Sequence, residues 1–293
     1  MKSELSVLIP SYNSDFRKLV KSLSSQLSQL SSIIRYEIIV ADDGSTDRKF
    51  LSLGDDFKSL PHFTLITRKE NVGRAAIRNF LAQQAHYQWL VFLDCDMSIE
   101  NSDFIIKYLS TDEEQKVVCG GYQVGAYDSS NLRYIYEKSA VLPHCAQARN
   151  KRPYQHFFTA NFMVNREVML SYPFDERFRT YGYEDVLFGK QLKKNHISIS
   201  HIDNIVGLNL FESNEHFVSK TEEGLQTLFK FHNELRGYSQ ILTFVEGIHL
   251  NAVRGAIRIW HKLFGRIERK ILCGKHPRLC IFKLYKLGYF VSI

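Results

Sequence analysis

This chain has little proline and no long apolar run. With 6 prolines and 16 glycines in 293 residues, and 44% hydrophobic and 24% charged side chains, long disordered tracts are excluded. No stretch approaches the roughly 18 apolar residues of a membrane-spanning helix. The opening Met1-Lys2-Ser3-Glu4-Leu5 leads into an apolar-rich segment shorter than a signal-peptide core, so the expectation is a chain made and kept in the cytosol. The cysteines Cys95, Cys119, Cys145, Cys273 and Cys280 are odd in number and scattered, with no C-x-x-C pair and no zinc pattern. Reduced thiols fit that spacing better than a disulfide frame. A glycine-rich phosphate loop of the Rossmann or Walker kind is also missing, which argues against dehydrogenases and kinases. The length is enough to bury a full core, as one large or two fused domains.

Acidic charge is scarce in one place only. From His249 to the end there are ten Lys/Arg and one acid, Glu268, so of the net charge of +7 the tail carries +9 and the remainder −2. The basic character belongs to the tail, and no nucleic-acid motif accompanies it.

The stretch that organises the chain is Trp89-Leu90-Val91-Phe92-Leu93-Asp94-Cys95-Asp96. Its apolar run reads as a fully buried strand of a parallel sheet. In extended geometry Asp94 and Asp96 point to one side at the strand's carboxyl end, where ligands of open α/β sheets bind. Paired hard oxygens without a His/Cys cluster suit Mg²⁺ or Mn²⁺; a strand end followed by an Asp-capped turn is the plainer reading.

Upstream, Leu5–Pro10, Tyr36–Ala41 and Phe63–Ile66 read as strands, with helices over 16–30, capped by Ser14-Asp15, and over 73–85. Strand alternating with helix at this spacing predicts an α/β fold, a parallel sheet covered on both faces. Its strand ends carry Pro10-Ser11-Tyr12-Asn13, Asp42-Asp43-Gly44-Ser45 and Asp94-Cys95-Asp96 along one edge. A base can stack on Tyr12, carboxylates can accept from base and ribose, and a metal can hold a diphosphate. Arg74 and Arg78, four apart on one helix face, either add positive charge near the phosphates or are solvated at the surface.

Pro10-Ser11-Tyr12-Asn13, Asp42-Asp43-Gly44-Ser45-Thr46-Asp47, Asn71-Val72-Gly73 leading to Arg78-Asn79, and Asp94-Cys95-Asp96 together resemble the GT-A glycosyltransferases of family 2. Each motif is weak singly; four in order and spacing, over the first third of the chain, are specific. The resemblance implies a GT-A, Rossmann-like, mostly parallel sheet plus a C-terminal helical extension. Residues 1–100 would form the nucleotide-sugar half, 101–216 the acceptor half and 217–293 a basic helical extension. It also implies a nucleotide site of Pro10, Tyr12, Asn13, Asp42, Asp43, Arg74, Arg78 and Asp94, with Tyr12 and Asp42 holding the base. Asp96 would be chief ligand of Mn²⁺ or Mg²⁺, with Asp94 reaching the ribose or the metal.

In the middle third, 117–124 and 157–164 read as strands, the first with a glycine pair and the second with Asn161 as an odd polar residue. Between them 131–142 reads as helix and 144–156 as a polar, basic loop. A helix is expected from near Tyr183, with Glu184 and Asp185 in its first turn. Such acids are common dressing of a helix start. Placed after the nucleotide motifs, the pair resembles the Glu-Asp motif of inverting family members, which makes Asp185 the general base and gives Glu184 to acceptor binding or to orienting its neighbour. Tyr181 and Tyr183 are either acceptor wall or core aromatics. Many GT-A enzymes add a third metal ligand, often His, from a segment after the acid pair. Here that segment, 197–211, offers His201, between His196 and His216; packing is the other reading of any of the three.

In the tail Leu250, Val253, Ile257, Trp260, Phe264, Ile267 and Ile271 recur at three- and four-residue steps, with Arg254, Arg258, Lys262 and Arg266 beside them. Burying that stripe is worth at most about 10–20 kcal/mol, so it has to be covered by the domain, another subunit or a membrane. The expectation is peripheral contact of 249–293 with the inner face of the cell membrane, and no nucleic-acid partner.

The resulting expectation is an inverting transferase moving sugar from a UDP-sugar to a hydroxyl of a glycan or lipid-linked glycan in polysaccharide biosynthesis. A sugar nucleotidyltransferase and an inactive membrane-bound adaptor are the alternatives. The first should carry a Gly-rich basic loop where Ser11-Tyr12-Asn13-Ser14 stands; the second should have lost the acids, and Asp94, Asp96, Glu184 and Asp185 are all present.

Overall fold

Strand β1 (Glu4–Ser11) feeds two cores at once: Leu5, Val7 and Ile9 join one, and Leu8 joins the other. A strand covered on both faces has no wet side, so its run is apolar rather than alternating. The structure, a computed structural model, describes residues 1–125, 128–139 and 145–293. In chain order the other strands are β2 (Arg35–Asp42), β3 (Phe63–Thr67), β4 (Trp89–Leu93), β5 (Met97–Ser98), β6 (Val117–Cys119), β7 (Tyr122–Val124), β8 (Asn161–Asn165), β9 (Ile199–His201) and β10 (Val206–Leu208).

One seven-stranded sheet runs β3-β2-β1-β4-β8-β6-β9. Its pairs are parallel except at β8, which is antiparallel to both β4 and β6. A small sheet, β5-β10-β7, stands beside it. The helix Arg17–Gln29 packs Leu19, Val20, Leu23 and Leu27 on one face of the large sheet. The other face is covered by Ala75, Ile77, Leu81 and Ala82 of Arg74–Gln84 and by Phe188 and Leu192 of Glu184–Lys194. The expected mostly parallel α/β sheet with helices on both faces is what forms.

The middle third differs in detail. Residues 117–124 form not one strand but two, β6 and β7, in different sheets, because Gly121 (φ 82) breaks the run. Strand β8 begins only at Asn161, while Phe157 is buried in the core ahead of it. The helix expected over 131–142 is Leu132–Lys138, with its last expected residues outside the described ones. Where a polar loop was expected from His144, itself outside the described residues, a short helix Ala146–Asn150 turns the Arg149 side chain fully inward.

Beyond the sheet, the helix Asn214–Lys230 leads into the C-terminal pair Asn251–Cys273 and Leu279–Ser292. Of that pair, Leu279–Ser292 is the one built into the molecule: Phe282 and Tyr285 pack with Leu132 and Phe217, and Phe290 with Phe178 and Leu228.

Candidate active site

Four loops at the carboxyl edge of the parallel strands enclose a cavity of about 850 Å³. After β1, Asn13 ties its loop to the one after β2. Its Oδ1 accepts from the backbone N–H groups of Thr46 and Asp47 at 3.0 Å each, and its own N–H donates to Ser45 Oγ at 2.8 Å. That clamp presents the Tyr12 ring, 44% exposed, on the cavity wall beside Pro10 and Asn13. The two acids at the end of β2 are occupied by the loop. Asp42 is buried, accepts from Ser45 N–H at 3.3 Å and from Ser45 Oγ, and is not among the residues lining the cavity. Asp43 does line it, accepting from the N–H groups of Val72 and Gly73 at 3.1 Å; burial nonetheless pushes its carboxyl above the usual range.

At the end of β4, Asp94 and Asp96 both line the cavity. Arg78, whose side chain is 1% exposed, donates from Nη2 to Asp94 Oδ1 at 2.6 Å and places Nη1 3.7 Å from Glu184 Oε1. It is therefore not a solvated surface arginine but a buried bridge between two acidic motifs, at the cavity wall. Burial would raise the Asp94 carboxyl; the Arg78 and Arg74 guanidiniums outweigh it and hold the group below its usual range. Asp96 goes the other way, pushed up by burial and then by the charge of Asp94.

Glu184 and Asp185 open their helix as expected, after two left-handed residues, Gly182 (φ 98) and Tyr183 (φ 69). The second is strained for a residue with a Cβ, a feature that clusters at functional sites. Glu184 is buried against Arg78, whereas Asp185 is partly buried and accepts from the Val186 N–H at 2.7 Å. Burial and the neighbouring Glu184 charge raise Asp185 to about 7, opposed by the Arg78 and Arg74 guanidiniums. Asp185 is not among the lining residues of the cavity; it is linked to it through Glu184 and Arg78.

Several lining residues carry no sequence motif. Arg133, Glu212 and Lys220 form an ion cluster in which Glu212 accepts from Arg133 Nη1 at 2.5 Å and from Lys220 Nζ at 2.9 Å. Burial notwithstanding, those two cations hold Glu212 down to about 2. Tyr181 lines the cavity, with the Arg74 guanidinium 5.0 Å and the Lys220 ammonium 4.7 Å from its ring centre. Tyr183 instead packs with the core around Phe231 and Leu228. Asn161 is also structural: it accepts from Tyr108 Oη and donates to the carbonyls of Gly121 and Asn204, fastening the β6–β7 break.

The structure does not bring His201 to this cavity. Its backbone pairs in β9, and its buried ring accepts from Arg149 Nε at 3.1 Å and meets Pro153 O at 3.0 Å. The histidine that does line the cavity with Asp94 and Asp96 is His216, in the first turn of Asn214–Lys230. Among the described residues no three His, Cys, Asp or Glu are assembled as a finished metal site. The donor set still fits a divalent cation. Two carboxylates converge, and among the described residues no cation is salt-bridged to Asp96, whose negative charge is disfavoured by Asp94 as well as by burial.

A mostly parallel sheet with an acid-bearing, cation-lined cavity at its strand ends defines a GT-A glycosyltransferase fold. Residues 6–172 match the profile of glycosyl transferase family 2, more than half of the chain, and the chain belongs to that family. It is 25% identical over 222 residues to a chondroitin synthase of Escherichia coli, covering 64% of this chain and 32% of that protein. To the poly(ribitol-phosphate) beta-N-acetylglucosaminyltransferase TarP of Staphylococcus aureus it is 28% identical over 141 residues, 47% of this chain and 42% of the other. The chain thus spans less than half the length of these curated relatives. Two solved structures share the fold. The mannosyltransferase PcManGT of Pyrobaculum calidifontis, in complex with GDP-Man and Mn²⁺, has a TM-score of 0.59 at 15% identity, over 99% of this chain and 85% of that one. Residues 1-349 of S. aureus TarS in complex with UDP have a TM-score of 0.54 at 18% identity, over 100% and 90%.

Proposed function

We propose that this chain is an inverting glycosyltransferase that moves a sugar from a UDP-sugar to a hydroxyl of a glycan acceptor, free or lipid-linked. The observation that carries the reading is convergence. Tyr12 after β1, Asp94 and Asp96 after β4, and the cations Arg74, Arg133 and Lys220 line one cavity, and Arg78 ties that cavity to the acid pair. A base stacks on Tyr12, and the three cations meet the negative charge of a diphosphate. Two structures of one similar protein support the choice of donor: TarS residues 1-349 were solved with UDP and with UDP-GlcNAc.

Asp94 and Asp96, with His216 on the same wall, would hold Mn²⁺ or Mg²⁺, which when bound supplies countercharge to the diphosphate. Asp185, raised to about 7, takes the proton of the acceptor hydroxyl. The hydroxyl oxygen forms the new bond to the anomeric carbon, the bond from that carbon to the diphosphate oxygen breaks, and the configuration inverts. Glu184, fixed by Arg78, holds the helix start so that its neighbour keeps its position.

A thermal-shift screen of nucleotide sugars with Mn²⁺, followed by an assay of nucleotide release with and without acceptor, tests the reading. Stabilisation by UDP-sugars and slow release of UDP are expected. Failure of every nucleotide sugar to shift unfolding removes the reading.

A further inference from the structure

Of the seven apolar residues of the tail stripe, Ile257 is half-buried and the other six are exposed to solvent. On the helix Asn251–Cys273 the inward face is His261, Gly265, Glu268 and Leu272, packed toward Leu279–Ser292, where Gly288 leaves room for the His261 ring. The adjoining face presents Val253, Trp260, Leu263, Phe264, Ile267 and Ile271 to solvent, with Leu263 63% and Ile267 56% exposed. Exposed apolar side chains over about five turns of helix are far more than the scattered ones every surface carries. The Trp260 and Phe264 rings lie together, centroids 4.4 Å apart, and Trp260 Nε1 donates to Glu268, so the indole is held in place at the edge of the stripe.

Charge says what covers it. Arg258, Lys262, Arg266 and Lys270 are exposed on this same helix, and its one acid, Glu268, is buried. A second copy of the chain laid stripe to stripe would bring these cations against their own kind with no acid between them. An anionic lipid surface answers both features at once, taking the apolar face below its headgroups and the cations among its phosphates. No helix of the described residues is long and apolar enough to cross a membrane, so the contact lies in the plane of one leaflet. We infer that the solvent-facing stripe of Asn251–Cys273 is a membrane-docking surface for anionic bilayers, holding the rest of the chain at the lipid face.

The test uses the full chain and vesicles of phosphatidylcholine with or without about a third phosphatidylglycerol, read by co-sedimentation at low and high salt. Binding is expected only to the anionic vesicles, and it should fall as salt rises. Trp260 emission should shift to the blue on binding while Trp89, buried in β4, contributes a constant background. Ile267→Glu with Leu263→Glu alters exposed positions alone, so unfolding should stay at the wild-type temperature while vesicle binding drops by at least about tenfold. Lys262→Gln with Arg266→Gln and Lys270→Gln should cost about a hundredfold on anionic vesicles and leave neutral ones unbound. Equal binding to neutral vesicles, no binding to either kind, or unchanged binding in the Ile267→Glu, Leu263→Glu variant would overturn the inference. So would a dimer in analytical ultracentrifugation that the same variant dissolves, because the occupant would then be a second copy.

Discussion

Arg78 Nη2 lies 2.6 Å from Asp94 Oδ1, a contact formed by an arginine side chain that is 1% exposed. The same guanidinium stands 3.7 Å from Glu184, so one buried cation neutralises acids that are far apart in sequence and joins the metal-side strand end to the acid-pair helix. Removing it leaves a buried carboxylate, Glu184, without its partner. Breaking a buried pair by deleting one member costs about 3–5 kcal/mol. Arg78→Ala is therefore expected to lose about that much stability in urea unfolding. Arg78→Lys should recover part of it, because an ammonium keeps the charge but cannot span both acids. An Arg78→Ala variant as stable as wild type would show that the bridge is dispensable.

Asp185 gives a pH dependence with a definite sign. As general base it works only when ionised, and its carboxyl is raised to about 7. Turnover should therefore rise with pH through about 7 and level off above it, and Asp185→Asn should remove that limb with a loss of about 10²–10⁴ in rate while UDP binding persists. Stability moves oppositely. A carboxyl whose folded pKa lies above its unfolded value contributes stability that is complete below the unfolded value and is lost as pH rises through the folded one. Asp185→Asn should accordingly gain thermal stability over wild type at pH 8 and not at pH 4. Calorimetry at the two pH values checks this; equal differences at both would remove the assignment.

The sheet and its donor edge were legible in the sequence because both follow from local pattern. Apolar runs ending in polar loops gave β1, β2, β3 and β4, and the order of strand and helix gave their parallel pairing. What could not be read was anything set by contacts between distant segments. Arg74 and Arg78 have the same spacing cue, yet Arg74 is exposed at the cavity and Arg78 is buried between Asp94 and Glu184, the latter over a hundred residues later. Asp42 and Asp43 are adjacent in one motif, and only the fold shows Ser45 taking the first carboxylate. Arg133 and Lys220 sit in ordinary helices with no motif, and their pairing through Glu212 has no short-range signal at all. The tail stripe was visible as a period, but the direction it faces depends on the helix pairing in which Gly265 and Gly288 both make room for the His261 side chain.

Gly73 joins the donor loop to the segment ahead of the acid pair. Its φ of 91° favours glycine, and a Cβ there would lie 2.6 Å from the carbonyl oxygen of Arg179. Gly73→Ala is expected to destabilise by about 1–3 kcal/mol. Because Asp43 accepts from the Gly73 N–H, the strain should also disturb the Asn71–Gly73 turn that lines the cavity. Weaker UDP binding should therefore accompany the lower unfolding temperature, measured by calorimetry on one sample. A drop in stability with UDP affinity intact would confine Gly73 to a packing role.

The third metal ligand can be settled by two histidines of opposite placement. His216 lines the cavity of Asp94 and Asp96, whereas His201 is buried in β9 with its ring between Arg149 and Pro153. Burial holds the His201 ring down to about 4, assisted by the charge of Arg149, so it is a neutral acceptor at ordinary pH. His201→Ala should cost about 1–3 kcal/mol of stability through the lost acceptor for Arg149 and leave Mn²⁺ affinity unchanged. His216→Ala should leave stability unchanged and weaken Mn²⁺ binding by at least about tenfold, with Asp96→Asn weaker still. Titration of chelator-treated protein with Mn²⁺, followed by electron paramagnetic resonance of the free ion, reads all three. Loss of Mn²⁺ binding in His201→Ala but not in His216→Ala would return the ligand to β9 and require the Arg149 contact to open when the ion binds.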